Sequence, residues 1–386
     1  MRTGVHELRL KHFRCYENLS LKLGADLSPV VLTGGNGAGK TNILEALSFL
    51  VPGRGLRQAK LSDIAMKTSE QLASMEQTNL DTSWVVSALV QTPENTVRIG
   101  TGISSEGERR QIRIDGENAK KQSDLGNVLT ALWITPAQDK LFSGAPAARR
   151  RFLDRLVQSF DAGHANVCSD YSYALKQWNN LLHEGRNDPA WLNALEEQIS
   201  AGAIAIAAAR RDIVNRLQSF LKTSEVDGFP TPIISLSGLV EEWLNGLAAI
   251  DVEDKYREKL RSLRHFVADG GSVAGVHTSD FSVVHAQKNM DAAECSTGEQ
   301  KALLYSIVLA QAKAATQEKG QCPLLLFDEL AAHFDARRRD ALLERLMAFP
   351  TQVWMTGTEV QPFSCLYSKA EFFNVENATL KLEKVA

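Results

Sequence analysis

The chain has 386 residues, 44% of them apolar and 23% charged, and 43 Lys plus Arg stand against 46 Asp plus Glu for a net charge of −3. That length suits a full core and two domains, and the balance excludes bulk positive charge as a route to nucleic acid, leaving only local patches. The five cysteines are scattered with no C-x-x-C pair, which argues against zinc or a disulfide framework.

In chain order, residues 1–16 alternate charged and apolar side chains and lack the apolar core of a signal peptide. The longest greasy run, residues 201–209, is too short to span a bilayer. No membrane partner is expected, and the expected compartment is a reduced cytoplasm. Residues 5–10 and 19–23 alternate as half-buried antiparallel strands do. Val30-Val31-Leu32-Thr33 then reads as a buried strand, followed by Gly34-Gly35-Asn36-Gly37-Ala38-Gly39-Lys40-Thr41-Asn42 and an amphipathic helix.

Residues 34–41 match G-x-x-x-x-G-K-[ST], the phosphate-binding loop. Its glycines let successive N–H groups ring phosphates, and the helix start adds its positive end. Lys40 would reach the β- and γ-phosphates of ATP, and Thr41 would ligate Mg²⁺. A glycine-rich turn that binds nothing is the bland alternative; the strand before and helix after disfavour it.

Further strands are predicted over 84–90, 96–101 and 111–114, and Leu132-Trp133-Ile134 leads to Thr135-Pro136-Ala137-Gln138. From Ala147 the pattern turns helical. Asp188-Pro189 is an N-cap with proline in the first turn, opening a helix to about Thr223. Some 35 helical residues would extend roughly 52 Å, longer than a compact domain needs, so an arm or paired-helix projection is expected. Pro230 and Pro232 interrupt, a second helical stretch covers about 239–267, and strand-like residues 281–284 are expected to resume the first domain.

Ser296-Thr297-Gly298-Glu299 has capping-box spacing before a helix over 301–315, and a helix start bearing serine and glycine is also an anion site. The apolar run 324–327 ends in Asp328-Glu329. Apolar residues on both faces suit a central parallel strand, whose carboxyl end is where ligands gather. Asp328 would hold Mg²⁺ and Glu329 would deprotonate the attacking water.

These pieces together resemble the head domain of the ABC ATPase superfamily, and the long interval between Lys40 and Asp328 implies a large insert. The fold class expected is α/β, an ABC-ATPase-like P-loop head with an inserted helical arm domain. The head would take residues 1–150 and 273–386, and the arm 151–272. More narrowly, Leu10-Lys11-His12-Phe13-Arg14, the P-loop through Ala46, and Pro136 followed by Gly144 to Asp154 with its Arg149-Arg150-Arg151-Phe152-Leu153-Asp154 block resemble the RecF family of recombination mediators. Ser296-Thr297-Gly298-Glu299-Gln300-Lys301 completes the match.

The resemblance implies an ATP-dependent homodimer on double-stranded DNA that helps RecR and RecO place RecA at single-strand gaps. It also implies residue roles. Ser296 and Gly298 would contact nucleotide on the other subunit's P-loop. Gln138 would sense Mg²⁺ and the attacking water, Arg14 would join the nucleotide contacts, and Asp335, in Ala332-His333-Phe334-Asp335, would line the dimer seam. Three departures stand out. Gly275-Val276-His277-Thr278-Ser279-Asp280 lacks an arginine and an acid of the family stretch, so no role is assigned there. Cys295 stands where transporters carry leucine, and Thr358 is the candidate in place of their switch histidine. The alternative reading is an ABC-type ATPase subunit of another system, a transporter or a nuclease-associated complex. Five basic groups could meet DNA: Arg54/Arg57/Lys60, Arg109/Arg110/Arg113, Arg149–Arg151, Lys255 to Arg264, and Arg337–Arg339. For each alone, a solvated face is the simpler account.

Overall fold

The computed structural model describes residues 2–66, 82–104, 109–186, 188–222, 229–332 and 334–385. Thr223, the expected end of the long helix, and His333 lie outside them. The chain divides into two compact units, Met1–Asp139 with Val226–Phe229 and Val308–Ala386, and Lys140–Glu225 with Pro230–Ile307.

In the first unit, the alternating residues near the start form β1 (Gly4–Phe13) and β2 (Tyr16–Lys22), and the apolar tetrapeptide after them forms β3 (Val30–Thr33). The later runs form β4 (Trp84–Gln91), β5 (Thr96–Ile103), β6 (Gln111–Ile114), β7 (Glu117–Asn118) and β8 (Ala131–Ile134). In the second unit lie β9 (Pro232–Ser237), β10 (Asp280–His285) and β11 (Met290–Asp291). The first unit closes with β12 (Leu324–Phe327), β13 (Val353–Thr356), β14 (Glu371–Glu376) and β15 (Thr379–Glu383).

Two sheets build the first unit. One is antiparallel, in the order β2-β1-β4-β5-β6-β7. The other runs β15-β14-β3-β13-β12-β8 and is parallel except for β15. The P-loop helix, Lys40–Ser48, buries Ile43, Leu44 and Leu47 in one core with Leu8, Val86 and Ile99 of the first sheet and Leu32, Leu326 and Trp354 of the second. β3 and β12 are wholly buried, as uninterrupted apolar strands require. Between them lies β13, bonded to both. That order sets the carboxyl ends of three strands side by side, with the glycine-rich loop on one and the acidic pair on another.

The second unit is led by an antiparallel hairpin of His164–His183 and Pro189–Lys222, whose direction is fixed by Trp178 meeting Glu196 while Tyr171 lies against Gly202. Asp188 Oδ1 accepts from the amides of Ala190 and Trp191, so the expected cap is formed. The 34-residue helix extends about 51 Å. Beyond this helix the structure departs twice from the sequence expectation. The stretch over 239–267 is three helices, Leu239–Trp243, Ala249–Ser262 and Arg264–Ala268. The prolines introduce a strand, β9, which pairs with β10 at one edge of a three-stranded sheet inside this unit. Residues 281–284 are thus a strand, but of the second unit.

The Arg149–Arg151 block, read as a candidate basic patch, is largely consumed internally. It sits on the helix Pro146–Gln158. Arg149 grips Asp280 with two bonds of 2.7 and 2.8 Å, and Arg150 donates to the Ser279 carbonyl at 2.7 Å. Four residues on, Asp154 takes two bonds from the buried Arg210 of the long helix, which also reaches the Val276 carbonyl. The stretch 275–280, which had no assigned role, is therefore the clip that binds two helices through their arginines. Among the described residues, no helix is long and apolar enough to cross a membrane.

Candidate nucleotide site

The P-loop backbone takes conformations that glycine alone adopts easily. Gly34, Gly37 and Gly39 have φ of 136°, 80° and 117°. A Cβ on Gly34 would lie 2.2 Å from the Val375 carbonyl oxygen, and one on Gly39 would lie 2.6 Å from the Tyr16 hydroxyl. Cβ atoms on Gly35 and Gly37 would meet nothing within 4 Å, so that side of the loop is open. Lys40 is 7% exposed and curls over its own loop, donating to the carbonyls of Gly34 at 2.6 Å and Gly35 at 2.8 Å. Burial holds its ammonium below the usual lysine range, against the pull of Asp328 and Glu329.

Next to it, the Thr41 hydroxyl lies 3.0 Å from each carboxylate oxygen of Asp328. Asp328 is held from the far side by Thr356, whose hydroxyl donates to Oδ1 at 2.7 Å. The same Thr356 oxygen accepts the Glu329 amide at 2.8 Å, and its carbonyl accepts the Leu330 amide. Glu329 itself has φ 51°, a left-handed backbone in a residue with a full side chain. Such a conformation persists where the surroundings over-determine it, and Thr356 supplies those bonds. The acidic turn is also tied to β8, the Asp328 amide donating to the Ile134 carbonyl. Gln138 lies just beyond that strand, in a short helical turn where its side-chain oxygen accepts from the Thr135 amide at 3.0 Å.

The donor chemistry fits ATP and Mg²⁺. An open ring of backbone amides beside a lysine that donates to two loop carbonyls suits a polyphosphate. A hydroxyl and a carboxylate converging within 3.0 Å are the hard oxygen donors Mg²⁺ prefers.

Residues 4–377 match the family described as the RecF/RecN/SMC N terminal domain. The DNA replication and repair protein RecF of Agrobacterium fabrum is 43% identical over 97% of this chain and 98% of its own length, and that of Allorhizobium ampelinum is 42% identical over 99% of both. The chain belongs to the RecF family. Its fold matches the recombination mediator RecF solved with ATP, with a TM-score of 0.80 at 20% identity over 99% of this chain and 98% of that one. The Smc head domain of Pyrococcus furiosus aligns at a TM-score of 0.50 over 99% of this chain and 96% of that one.

Within this RecF-family chain the remaining expected residues take separate positions. Asn42 donates to Cys15 and accepts from Arg57. Arg14 is paired bidentately with the buried Glu45 of the P-loop helix, at 2.6 and 2.9 Å, and also bonds the Asp63 carbonyl. Its guanidinium braces the helix that carries Lys40 and Thr41. Ser296 and Gly298 lie at the head of the helix Thr297–Lys319, in the second unit. Ser296 donates from both its amide and its hydroxyl to Glu299, which also grips Lys288 at 2.5 Å. Lys288 and Ser296 draw the Glu299 carboxyl down to about 2, so the cap is charged at neutral pH. One half of the capping box is thus present, the Glu299 side chain taking the Ser296 amide. Asp335 caps the helix Ala336–Met347, its side chain accepting from the Arg338 amide. Thr358 stands beside the loop through its backbone, its carbonyl taking the Gly34 amide at 3.4 Å.

Sequence reasoning passed over Thr356 in favour of Thr358. The available signal was a single hydroxyl ending the strand Val353–Thr356 beside the acidic one.

Proposed function

We propose that this chain binds and hydrolyses ATP with Mg²⁺, dimerises when ATP is bound, and acts on double-stranded DNA in recombinational repair. The observation that carries this reading is the convergence of Thr41, Asp328 and Thr356 beside Lys40. In this mechanism Lys40 exchanges its two loop carbonyls for phosphate oxygens, while the loop amides hold the rest of the chain of phosphates. Thr41 and Asp328 would hold Mg²⁺, which when bound would supply positive charge against the phosphates. Glu329 takes the proton of the attacking water, and Gln138 helps orient that water. Ser296 and Gly298 of one copy close on nucleotide held by its mate, so hydrolysis resets the dimer. Arg14 acts from behind, through Glu45. RecR, with RecO and RecA in the pathway, are the proposed protein partners. They are in keeping with the RecFOR pathway named for the solved RecF, and the proposed place of action is the cytoplasm.

Two substitutions test the site. Lys40→Ala removes one charge-assisted contact, worth about 1.5–3 kcal/mol, so nucleotide affinity should fall roughly 10- to 150-fold by titration calorimetry, and ATP should no longer raise light scattering to the dimer value. Unchanged affinity would remove the P-loop assignment. Thr356→Val keeps the shape but leaves the Asp328 oxygen and the Glu329 amide each short of a bond. A loss of about 1–3 kcal/mol should appear as a higher Mg²⁺ concentration for half-maximal turnover with nucleotide affinity little changed, and Thr356→Ser should restore the wild-type value. A Val variant titrating with Mg²⁺ as wild type does would reduce Thr356 to filler. Whether duplex DNA raises ATP turnover decides the DNA half of the reading.

A further inference from the structure

Most of the basic groups conspicuous in the sequence are already paired within the chain. Arg57 sits on Glu45 and Asn42. Arg110 is buried and donates to the carbonyls of Phe49 and Gly53. Arg149 and Arg150 hold the clip at Ser279 and Asp280. Arg257 pairs with Glu253 and Asp254, and both Arg261 and Arg264 converge on the buried Glu196. Arg338 and Arg339 have Asp335 and Asp340. A guanidinium committed to an internal carboxylate or carbonyl has little left for a phosphate.

A different set of cations forms no run in the sequence, because its members sit at every second residue of separate strands. In the antiparallel sheet, Leu8, Leu10, Val86, Ala88 and Ile99 face the core, so their neighbours Arg9, Lys11, Ser87 and Arg98 face the other way. Register places Arg9 between Ser20 and Ser87, Lys11 between Asn18 and Val85, and Lys22 across from Glu7. It also sets Arg98 across from Leu89, and Arg113 across from Gly100. One open face therefore carries Arg9, Lys11, Lys22, Arg98 and Arg113, all exposed. Glu7 is the acid among them and takes up Arg9 and Arg98, so Lys11, Lys22 and Arg113 are the cations of the face left for a phosphate. Lys11 and Lys22 have no acidic side chain within bonding distance among the described residues.

The five strands β2, β1, β4, β5 and β6, at about 4.8 Å spacing, spread these charges over roughly 20 Å. Asn18, Ser20 and Ser87 line the shallow trough between Arg9, Lys11 and Arg98, adding neutral donors. Gly100 leaves the centre low, since a Cβ there would find only the Arg113 side chain, at 3.9 Å. The exposed apolar side chain of the face is Val85, 44% exposed. Among the described residues of this face no aromatic or larger aliphatic side chain is exposed beside it, so the anchor that a protein partner would need is not offered. A fixed lattice of cations and small donors with no reader of base edges is the chemistry of phosphate positioning.

We propose that the open face of the β2-β1-β4-β5-β6 sheet is the surface that takes the phosphate backbone of duplex DNA. This rests on the duplex-binding reading above and names its surface. It implies binding without sequence preference, steeply weakened by salt.

The test uses the full chain with ATP, a labelled 30-base-pair duplex, and anisotropy titrations across a range of salt. Lys11→Gln combined with Arg113→Gln should lower the slope of log affinity against log salt by about 1.8, at about 0.9 for each phosphate contact. Affinity at moderate salt should fall about tenfold or more, while the ATP-driven change in light scattering and the thermal midpoint stay as in wild type. A control pair in other basic groups, Lys259→Gln with Arg337→Gln, should leave the slope where it was. Wild type that binds duplex while the sheet pair binds equally well with an equal slope would overturn the surface and leave the proposed function standing. Wild type that ignores duplex at low salt would overturn both.

Discussion

Glu329→Gln should bind ATP nearly as wild type does and hydrolyse it about 10² to 10⁴ times more slowly, the usual worth of a positioned general base. The amide keeps the length and volume of the acid, so the left-handed turn and its bonds to Thr356 are undisturbed. Nothing that would hold the phosphates changes either. Lys40 keeps its place over the loop, and Thr41 still meets Asp328. What disappears is the ability of the side chain to accept a proton. Single-turnover hydrolysis should therefore collapse while nucleotide titration stays within about twofold, and light scattering should report a dimer that outlives its wild-type counterpart. Were the variant to turn ATP over at the wild-type rate, the base would lie elsewhere and the exposed carboxylate of Glu329 would be a bystander.

The parts of this site that were legible in the sequence are those whose chemistry is contiguous. The loop from Gly34 to Thr41 announces itself because backbone amides, lysine and hydroxyl must follow one another. The acidic pair alone would read as two solvated acids at a strand end, and it becomes legible only in a chain that also carries a phosphate-binding loop. Neither stretch says what lies between them. β13 is inserted there by sheet order, and it delivers Thr356 to both acids from 27 and 28 positions away. Such a partner has no local signature beyond one hydroxyl closing an apolar strand.

The second unit shows the same limit with opposite sign. Its long helix was plain from Asp188-Pro189 and the spacing after it, because cap and periodicity are local. β9 was hidden behind prolines, which normally break strands. Pro232 is tolerated because it is the first residue of an edge strand, where a missing N–H costs no ladder bond. The three arginines at 149–151 read as a surface patch because the acid that neutralises the first lies 131 residues on. The cations of the open sheet face show the reverse. They belong together only once strand register is known.

Arg210→Ala should cost about 3–5 kcal/mol of stability at neutral pH, the usual effect of removing one partner of a buried ion pair. Arg210 is 4% exposed and makes three bonds, two to Asp154 at 2.8 and 2.9 Å and one to the Val276 carbonyl at 2.7 Å. Burial pushes the Asp154 carboxyl up, but the bonds from His164 and Arg210 outweigh it and hold the group below its ordinary value. A depressed carboxyl gives stability that is present above its unfolded value of about 3.9 and is lost as pH falls through the lower folded one. Wild type should thus keep the contribution of this pair down to about pH 4. In the variant the balance reverses. With the guanidinium gone, burial dominates, the carboxyl rises, and protonation relieves the stranded charge. The deficit of the variant should therefore shrink as pH drops from 7.5 towards 4.5. Urea unfolding of both proteins at the two pH values, followed by circular dichroism, measures this directly. A deficit under about 1 kcal/mol at pH 7.5, well below what a buried pair requires, would mean that the clip is held by its other bonds. A deficit that fails to shrink on acidification would mean that the Asp154 carboxylate stays stabilised without Arg210, so that the guanidinium is not what holds its charge.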